Sequence, residues 1–222
     1  MHKKVAVILS GCGVYDGAEI HESVLTLLRL DQRGTAVQCF APDIPQRHVV
    51  NHVTGEEMPE TRNVLVESAR IARGAIKDIR EADVNDFDAL IIPGGFGSAK
   101  NLSDFASQGP ACRVESQLLT LAEAFATAGK PVGLICITPA LAAKIYGPGV
   151  TCTIGNDPDT AAAIVKMGGL HEDCEVTEIV EDTARKLVTT PAYMTARSIS
   201  EAAAGINKLV DRVLELTQEE QD

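Results

Sequence analysis

Cys136 sits in the stretch Pro131-Val-Gly-Leu-Ile-Cys-Ile-Thr-Pro-Ala140, between a short apolar run and residues 140–145, which read as the start of a helix. Val132 to Ile135 have the length and apolarity of a buried strand. Pro139 falls near the first turn, where a missing N–H costs nothing. A cysteine on such a strand-to-helix turn is held at the end of a sheet, with the helix N-terminus facing its sulfur. That placement favours the thiolate, the nucleophilic form, and matches the logic of a hydrolase nucleophile elbow. The alternative is a small buried hydrophobe.

Three other stretches bear on the same chemistry. Glu19 and Glu22, in Asp16-Gly-Ala-Glu-Ile-His-Glu-Ser23, are three apart and share one face of a helix near its start. Either carboxyl could point at Cys136, or both could be solvated acids at a helix N-terminus. Pro93-Gly-Gly-Phe-Gly97 follows an apolar run, and a Gly94 or Gly95 N–H paired with the Ile137 N–H could bind a developing oxyanion. Gly11-Cys-Gly13 opens a G-x-G-x-x-x-G spacing, one residue too long for a dinucleotide fingerprint. His21-Glu22 begins the H-E-x-x-H pattern, but position 25 is Leu. No His/Cys cluster has zinc spacing, so no metal is expected. His48, His52 and His171 belong to no motif and are expected at the surface.

The elements that must position these groups alternate in type. Apolar runs at Val5–Leu9, Ala36–Phe40, Asp88–Ile92 and Val132–Ile135 read as strands covered on both faces. Helices are predicted over Ala18–Arg33, with Ile20, Val24, Leu27 and Leu28 at helical spacing, and over Asn63–Arg73 and Arg113–Ala128. A short helix is expected at 157–167, two strands at Thr177–Glu181 and Lys186–Thr190, and a long helix at Ile199–Leu216. Residues 42–62 read as a surface excursion with a small hairpin around His48–Val53. The alternation predicts an α/β fold, a three-layer α/β/α sandwich on a mostly parallel sheet. In such sheets the site lies beyond the carboxyl ends of the strands. The loop after the first strand, Pro93–Gly97 and Cys136 all fall there.

The 222 residues suit one domain, expected over 1–217, with 218–222 a frayed tail. A formal net charge of -11 repels nucleic acid and anionic membrane surfaces, so neither is an expected partner. Six cysteines without a C-x-x-C pair, and an opening apolar run of only five residues, predict a cytoplasmic protein with reduced thiols.

Taken together, Val7-Ile-Leu-Ser-Gly-Cys-Gly-Val-Tyr-Asp-Gly17 with Glu19-Ile-His-Glu22, Pro93 to Leu102, Cys136-Ile-Thr-Pro-Ala140 and Val188-Thr-Thr-Pro-Ala-Tyr-Met194 resemble the PfpI-like superfamily. That superfamily shares the flavodoxin-like, class I glutamine amidotransferase-like fold, and the resemblance is closest to its ElbB group, described as glyoxalases. The resemblance places the nucleophile on Cys136, its hydrogen-bonded acid on Glu22 and the oxyanion donors on the backbone of Gly95 and Ile137. It implies a cofactor-free glyoxalase acting on glyoxal or methylglyoxal, and a homodimer. The alternative is a non-enzymatic redox sensor or chaperone-like protein in which Cys136 is oxidised. Glutaminase signatures are absent: the cysteine lies in Leu134-Ile-Cys-Ile-Thr138, without the flanking glycines, and no downstream H-x-E occurs. The histidine that many members place near the cysteine falls here at about Thr153. Turnover is therefore expected to be slow, with Glu22 protonated against a thiolate.

Overall fold

The computed structural model describes residues 3–218. The chain alternates β1 (Lys4–Ile8), α1 (Ile20–Gln32), β2 (Ala36–Ala41), α2 (Val64–Ile71), β3 (Ile76–Asp78) and β4 (Ala89–Ile92). Short helices α3 (Phe96–Lys100) and α4 (Phe105–Gln108) lead to α5 (Ser116–Thr127) and β5 (Val132–Ile135). Then come α6 (Ala142–Tyr146), β6 (Thr151–Cys152), α7 (Pro158–Lys166), β7 (Leu170–His171), β8 (Val180–Asp182), β9 (Leu187–Thr190) and α8 (Ile199–Leu216).

Seven strands form one sheet in the order β3-β2-β1-β4-β5-β9-β8. All neighbours are parallel except β8, which runs antiparallel to β9. Side chains alternate between the two faces, as the pleat requires. Ala6, Ile8, Leu90, Ile92, Val132 and Leu134 join the core that contains α5. Val5, Val7, Ala89, Ile91, Ile135 and Val188 join the core that contains α8 and Leu30 of α1. The architecture is the expected α/β/α sandwich. The order of strands reverses at β1, so the crevice opens where the loops after β1, β4 and β5 converge.

Helix α8 carries Ala202, Ile206, Leu209 and Val213 at three- and four-residue spacing, all buried, and the Ser198 side chain caps its start by accepting the Glu201 N–H. Helix α1 departs from its pattern. Its apolar stripe faces outward, with Ile20 41%, Val24 48% and Leu28 48% exposed. The buried face is Glu22, Ser23, Thr26 and Leu30. Ser23 and Thr26 satisfy their hydroxyls on the Glu19 and Glu22 carbonyls one turn back, which lets polar residues face the sheet.

Other differences are local. The helix after Cys136 begins as a single 3₁₀ turn, Thr138–Leu141, and α6 adds only five residues before Gly147. The Pro93–Gly97 stretch is less loop than expected, because α3 starts at Phe96. The edge strand β3 and the two-residue pair β6–β7 are too short to carry a readable period. Residues 42–62 do turn back on themselves, through bridges Pro45–Asn63 and Val50–Glu57, yet they press on their own chain. Val49 is buried, Val50 N donates to Asp16 Oδ2 at 2.8 Å, and Arg47 N to Asn101 Oδ1 at 3.0 Å. Gln218 closes the turn after α8 through Glu215 O at 2.8 Å; the rest of the expected tail, 219–222, lies outside the described residues.

Candidate functional site

Cys136 is the first residue after β5, and its φ is 65°, a left-handed conformation rare for a residue with a Cβ. The turn is held from both sides. Cys136 N donates to Thr190 O of β9 at 3.0 Å, and the Thr138 hydroxyl, 2.8 Å from Ser98 Oγ, donates to Pro93 O at 3.2 Å. The side chain points into the crevice with 7% of the residue exposed. The backbone N–H groups of Gly95 and Ile137 both reach its sulfur, as does the Glu22 carboxyl.

Glu22 is brought there by the way α1 begins. Glu19 caps the helix: its N–H donates to Gly94 O at 2.9 Å, and its carboxylate accepts the Glu22 N–H at 2.7 Å. Glu19 is thereby committed to the cap, and Glu22 in the first turn faces the sulfur. The Glu22 carboxyl is wholly buried, with Oε2 accepting the Gly94 N–H at 2.9 Å and Oε1 the Tyr193 N–H at 3.2 Å. Two glycines permit this approach. A Cβ on Gly94 would lie 2.4 Å from the Cys136 Cβ and 2.8 Å from Glu22 Oε2. Gly95, at φ 97°, would drive a Cβ to 2.4 Å from the Glu19 nitrogen.

Burial, then the nearby Glu19 charge, push the Glu22 carboxyl up to about 8. The Tyr193 N–H, Cys136 and the Gly94 N–H oppose that rise. Glu22 therefore holds its proton at neutral pH, as expected. The expected thiolate is not found: burial, and then Glu22, hold the Cys136 thiol well above its ordinary range. The Gly95 and Ile137 N–H groups favour the thiolate but do not outweigh desolvation, and the 3₁₀ turn offers no long helix dipole.

No histidine complements the pair at the superfamily position. Thr153 is buried, its N–H donates to Thr189 Oγ1 at 3.0 Å, and its hydroxyl accepts the Gly155 N–H at 2.9 Å. His171, expected at the surface, is instead enclosed with its side chain 4% exposed, and its Nε2 accepts the Ile154 N–H at 3.2 Å. Burial lowers its pKa, which keeps that nitrogen free to accept. His52 is exposed and accepts the Tyr15 N–H at 3.2 Å, bracing the loop after β1. All six cysteines are free, and the described residues contain no group of three or more His, Cys, Asp or Glu able to hold a metal ion.

One contributor was not foreseen. Tyr193 supplies the second N–H to Glu22 from the turn after β9, where Ala192 has φ 43°. The signal available in sequence was the position of Pro191-Ala192-Tyr193 at the carboxyl end of a strand beside Cys136.

No family model matches the chain. Among curated proteins it is 47% identical to the human mitochondrial glutamine amidotransferase-like class 1 domain-containing protein 3, over 96% of this chain and 83% of that one. It is 46% identical to the mitochondrial ES1 protein homolog of Rattus norvegicus and 33% identical to the mitochondrial ES1 protein of Danio rerio, each over 96% of this chain. These names contradict the cytoplasmic expectation. That expectation rested on a short apolar run, which bears on secretory and membrane segments; mitochondrial targeting segments are amphipathic and escape such a test. A solved structure from Ehrlichia chaffeensis, named an isoprenoid biosynthesis protein with amidotransferase-like domain, superimposes with a TM-score of 0.91 at 39% identity, over 96% of this chain and 99% of that one. DJ-1beta of Drosophila melanogaster, at 20% identity and a TM-score of 0.55 over 99% of this chain and 97% of that one, shares the fold. The strand order, the cysteine elbow and the match over nearly the whole chain agree: this chain belongs to the family of glutamine amidotransferase-like class 1 domain proteins that includes the ES1 proteins.

Proposed function

We propose that this chain is a cofactor-independent glyoxalase of the ElbB type, converting glyoxal or methylglyoxal to the 2-hydroxy acid. The observation that carries the reading is the buried Glu22 carboxyl held on the Cys136 sulfur, with the Gly95 and Ile137 N–H groups converging on the same atom. The thiol adds to one aldehyde carbon, its proton passes to the carbonyl oxygen, and a hemithioacetal forms. The two N–H groups serve the oxygen that develops charge beside the new C–S bond. The ionised fraction of Glu22, a minority at neutral pH for a carboxyl near 8, takes the proton from the carbon bearing sulfur and returns it to the neighbouring carbon. The first carbon becomes a thioester carbonyl as the second is reduced to the alcohol, so no outside oxidant is needed. Water then releases glycolate, or lactate from methylglyoxal, and restores the thiol. A carboxyl near 8 suits this work, since it exchanges a proton close to neutral pH.

The absence of a histidine at Thr153 favours a second reading, a redox-responsive protein in which Cys136 is oxidised. The enclosed, raised thiol burdens both readings alike, because oxidation and nucleophilic addition each follow thiolate character and access. Glycolate release and the mass of the Cys136 peptide after mild peroxide, measured on one sample, separate the two. Turnover without a mass gain supports the glyoxalase; a gain of one or two oxygens without turnover sinks it.

We also propose a homodimer. The exposed stripe Ile20, Val24 and Leu28 of α1 is a better seat for the contact than residues 42–62, which are engaged with their own chain. Sedimentation at micromolar concentration is expected to give twice the 23.6 kDa chain mass, and Val24→Asp with Leu28→Asp to return the monomer. A wild-type monomer refutes the proposal.

A further inference from the structure

The exposed His21 and the half-buried Tyr193 form a pair that the proposed reaction does not use. His21 Nδ1 lies 2.7 Å from Tyr193 Oη, with ring centroids 5.7 Å apart. The two residues are far apart in sequence, yet each is tied to Glu22. His21 precedes it on α1, and Tyr193 donates its backbone N–H to Glu22 Oε1 at 3.2 Å. The turn that carries Tyr193 is strained: Ala192, fully buried, has φ 43°. Non-glycine residues hold such a conformation only where surrounding contacts over-determine it. Of the four non-glycine residues with positive φ among the described residues, Cys136 and Ala192 follow neighbouring parallel strands, paired through Ile135 and Thr190. Both strained turns thus aim a group at the same carboxyl.

We propose that His21 and Tyr193 form a latch between α1 and the turn after β9, and that both are positioning residues for Glu22. The phenol–imidazole hydrogen bond anchors the far end of the Tyr193 residue, and the anchored residue keeps its N–H on Oε1. The latch therefore sets how readily the neutral cysteine–carboxyl pair gives up its first proton, and from which group. With the N–H in place, the charged carboxylate is favoured over the thiolate. With the turn released, the proton stays longer on Glu22, and the carboxylate that can take a proton from carbon is less populated at neutral pH. The deduction deepens the glyoxalase reading but can fail separately from it.

The test is a carboxyl titration followed by NMR of protein labelled with ¹³C-glutamate, the Glu22 signal assigned by its loss in Glu22→Gln. The titratable groups that act on Glu22 are Glu19 and Cys136, and Tyr193 faces Glu19 and Glu22; Glu19 and Cys136 stay in place in every latch variant. His21→Ala and Tyr193→Phe each remove the one hydrogen bond. Each is expected to move the Glu22 midpoint upward by roughly half a unit or more, about a threefold change in proton affinity. The double variant should shift no further than either single one. His21→Asn, which keeps a polar atom near the Nδ1 position, should bring the midpoint back towards wild type. Midpoints that stay unchanged in both single variants, or single shifts that simply add in the double, overturn the latch. Shifted midpoints in the variants beside a wild-type protein that releases no glycolate sink the glyoxalase reading alone; wild-type turnover with unshifted variant midpoints sinks the latch alone.

Discussion

Cys136→Ser is expected to abolish glycolate formation from glyoxal, a fall of roughly a thousandfold or more, while the fold survives. Serine is close to cysteine in size and meets the same backbone, so the φ of 65° and the bond from the residue's N–H to Thr190 O are untouched. The Gly95 and Ile137 N–H groups and the Glu22 carboxyl then meet a hydroxyl, which they satisfy as hydrogen-bonding partners but cannot turn into an effective nucleophile. Thermal unfolding should remain cooperative and close to wild type. Of the five other cysteines, Cys152 touches the turn after Cys136, its Sγ 3.6 Å from Pro139 O, but none is among the groups on the Cys136 sulfur, and their individual replacement should leave turnover in place. Wild-type glycolate release from Cys136→Ser would falsify the nucleophile assignment.

The second large effect is that of Glu22→Gln, expected to lower turnover by roughly a hundredfold or more, since an amide cannot carry the proton between carbons. Alkylation of Cys136 should fall far less, because the amide still offers a donor to sulfur and cannot ionise against the thiolate. Glu19→Gln should do much less to turnover. Its amide oxygen can still accept the Glu22 N–H, and loss of the Glu19 charge should bring the Glu22 carboxyl down from about 8. If Glu19→Gln were the damaging change, the acid would be misplaced.

Glu22→Gln also carries a stability signature with a definite sign. The carboxyl titrates at about 8 in the folded chain, against an ordinary value of 4.5. Between those values the unfolded chain has released the proton and the folded chain has kept it. The unfolded state binds fewer protons, so stability must fall as pH rises through that window, by up to about 1.4 kcal/mol per unit. The amide abolishes this slope. It also leaves either the Gly94 or the Tyr193 N–H facing an NH₂ group, because a single oxygen cannot accept both, at a cost of about 1–3 kcal/mol. Chemical denaturation should therefore find the variant less stable than wild type at pH 5 and the gap narrower or reversed at pH 8. Parallel curves across that range would show that Glu22 is already charged in the folded protein.

The sequence alone determined the layers and set Cys136 on the turn that follows a buried strand. Runs such as Val132–Ile135 are apolar on both faces, which only a covered parallel strand requires, and Ile199–Leu216 repeats its apolar positions over five turns, so both are legible locally. Residue spacing left Glu19 and Glu22 open, and the family resemblance alone placed the acid on Glu22. Three things were decided only by tertiary structure. The outward phase of Ile20, Val24 and Leu28 could not be read, because periodicity reports that a helix has a stripe and not which way it faces. The state of Cys136 could not be read either: the local rule of a helix N-terminus points to a thiolate, whereas the desolvation that outweighs it comes from residues far away in the chain. The approach of Tyr193 to Glu22 spans 171 positions and depends on β9 lying beside β5, a consequence of strand order that no local pattern encodes.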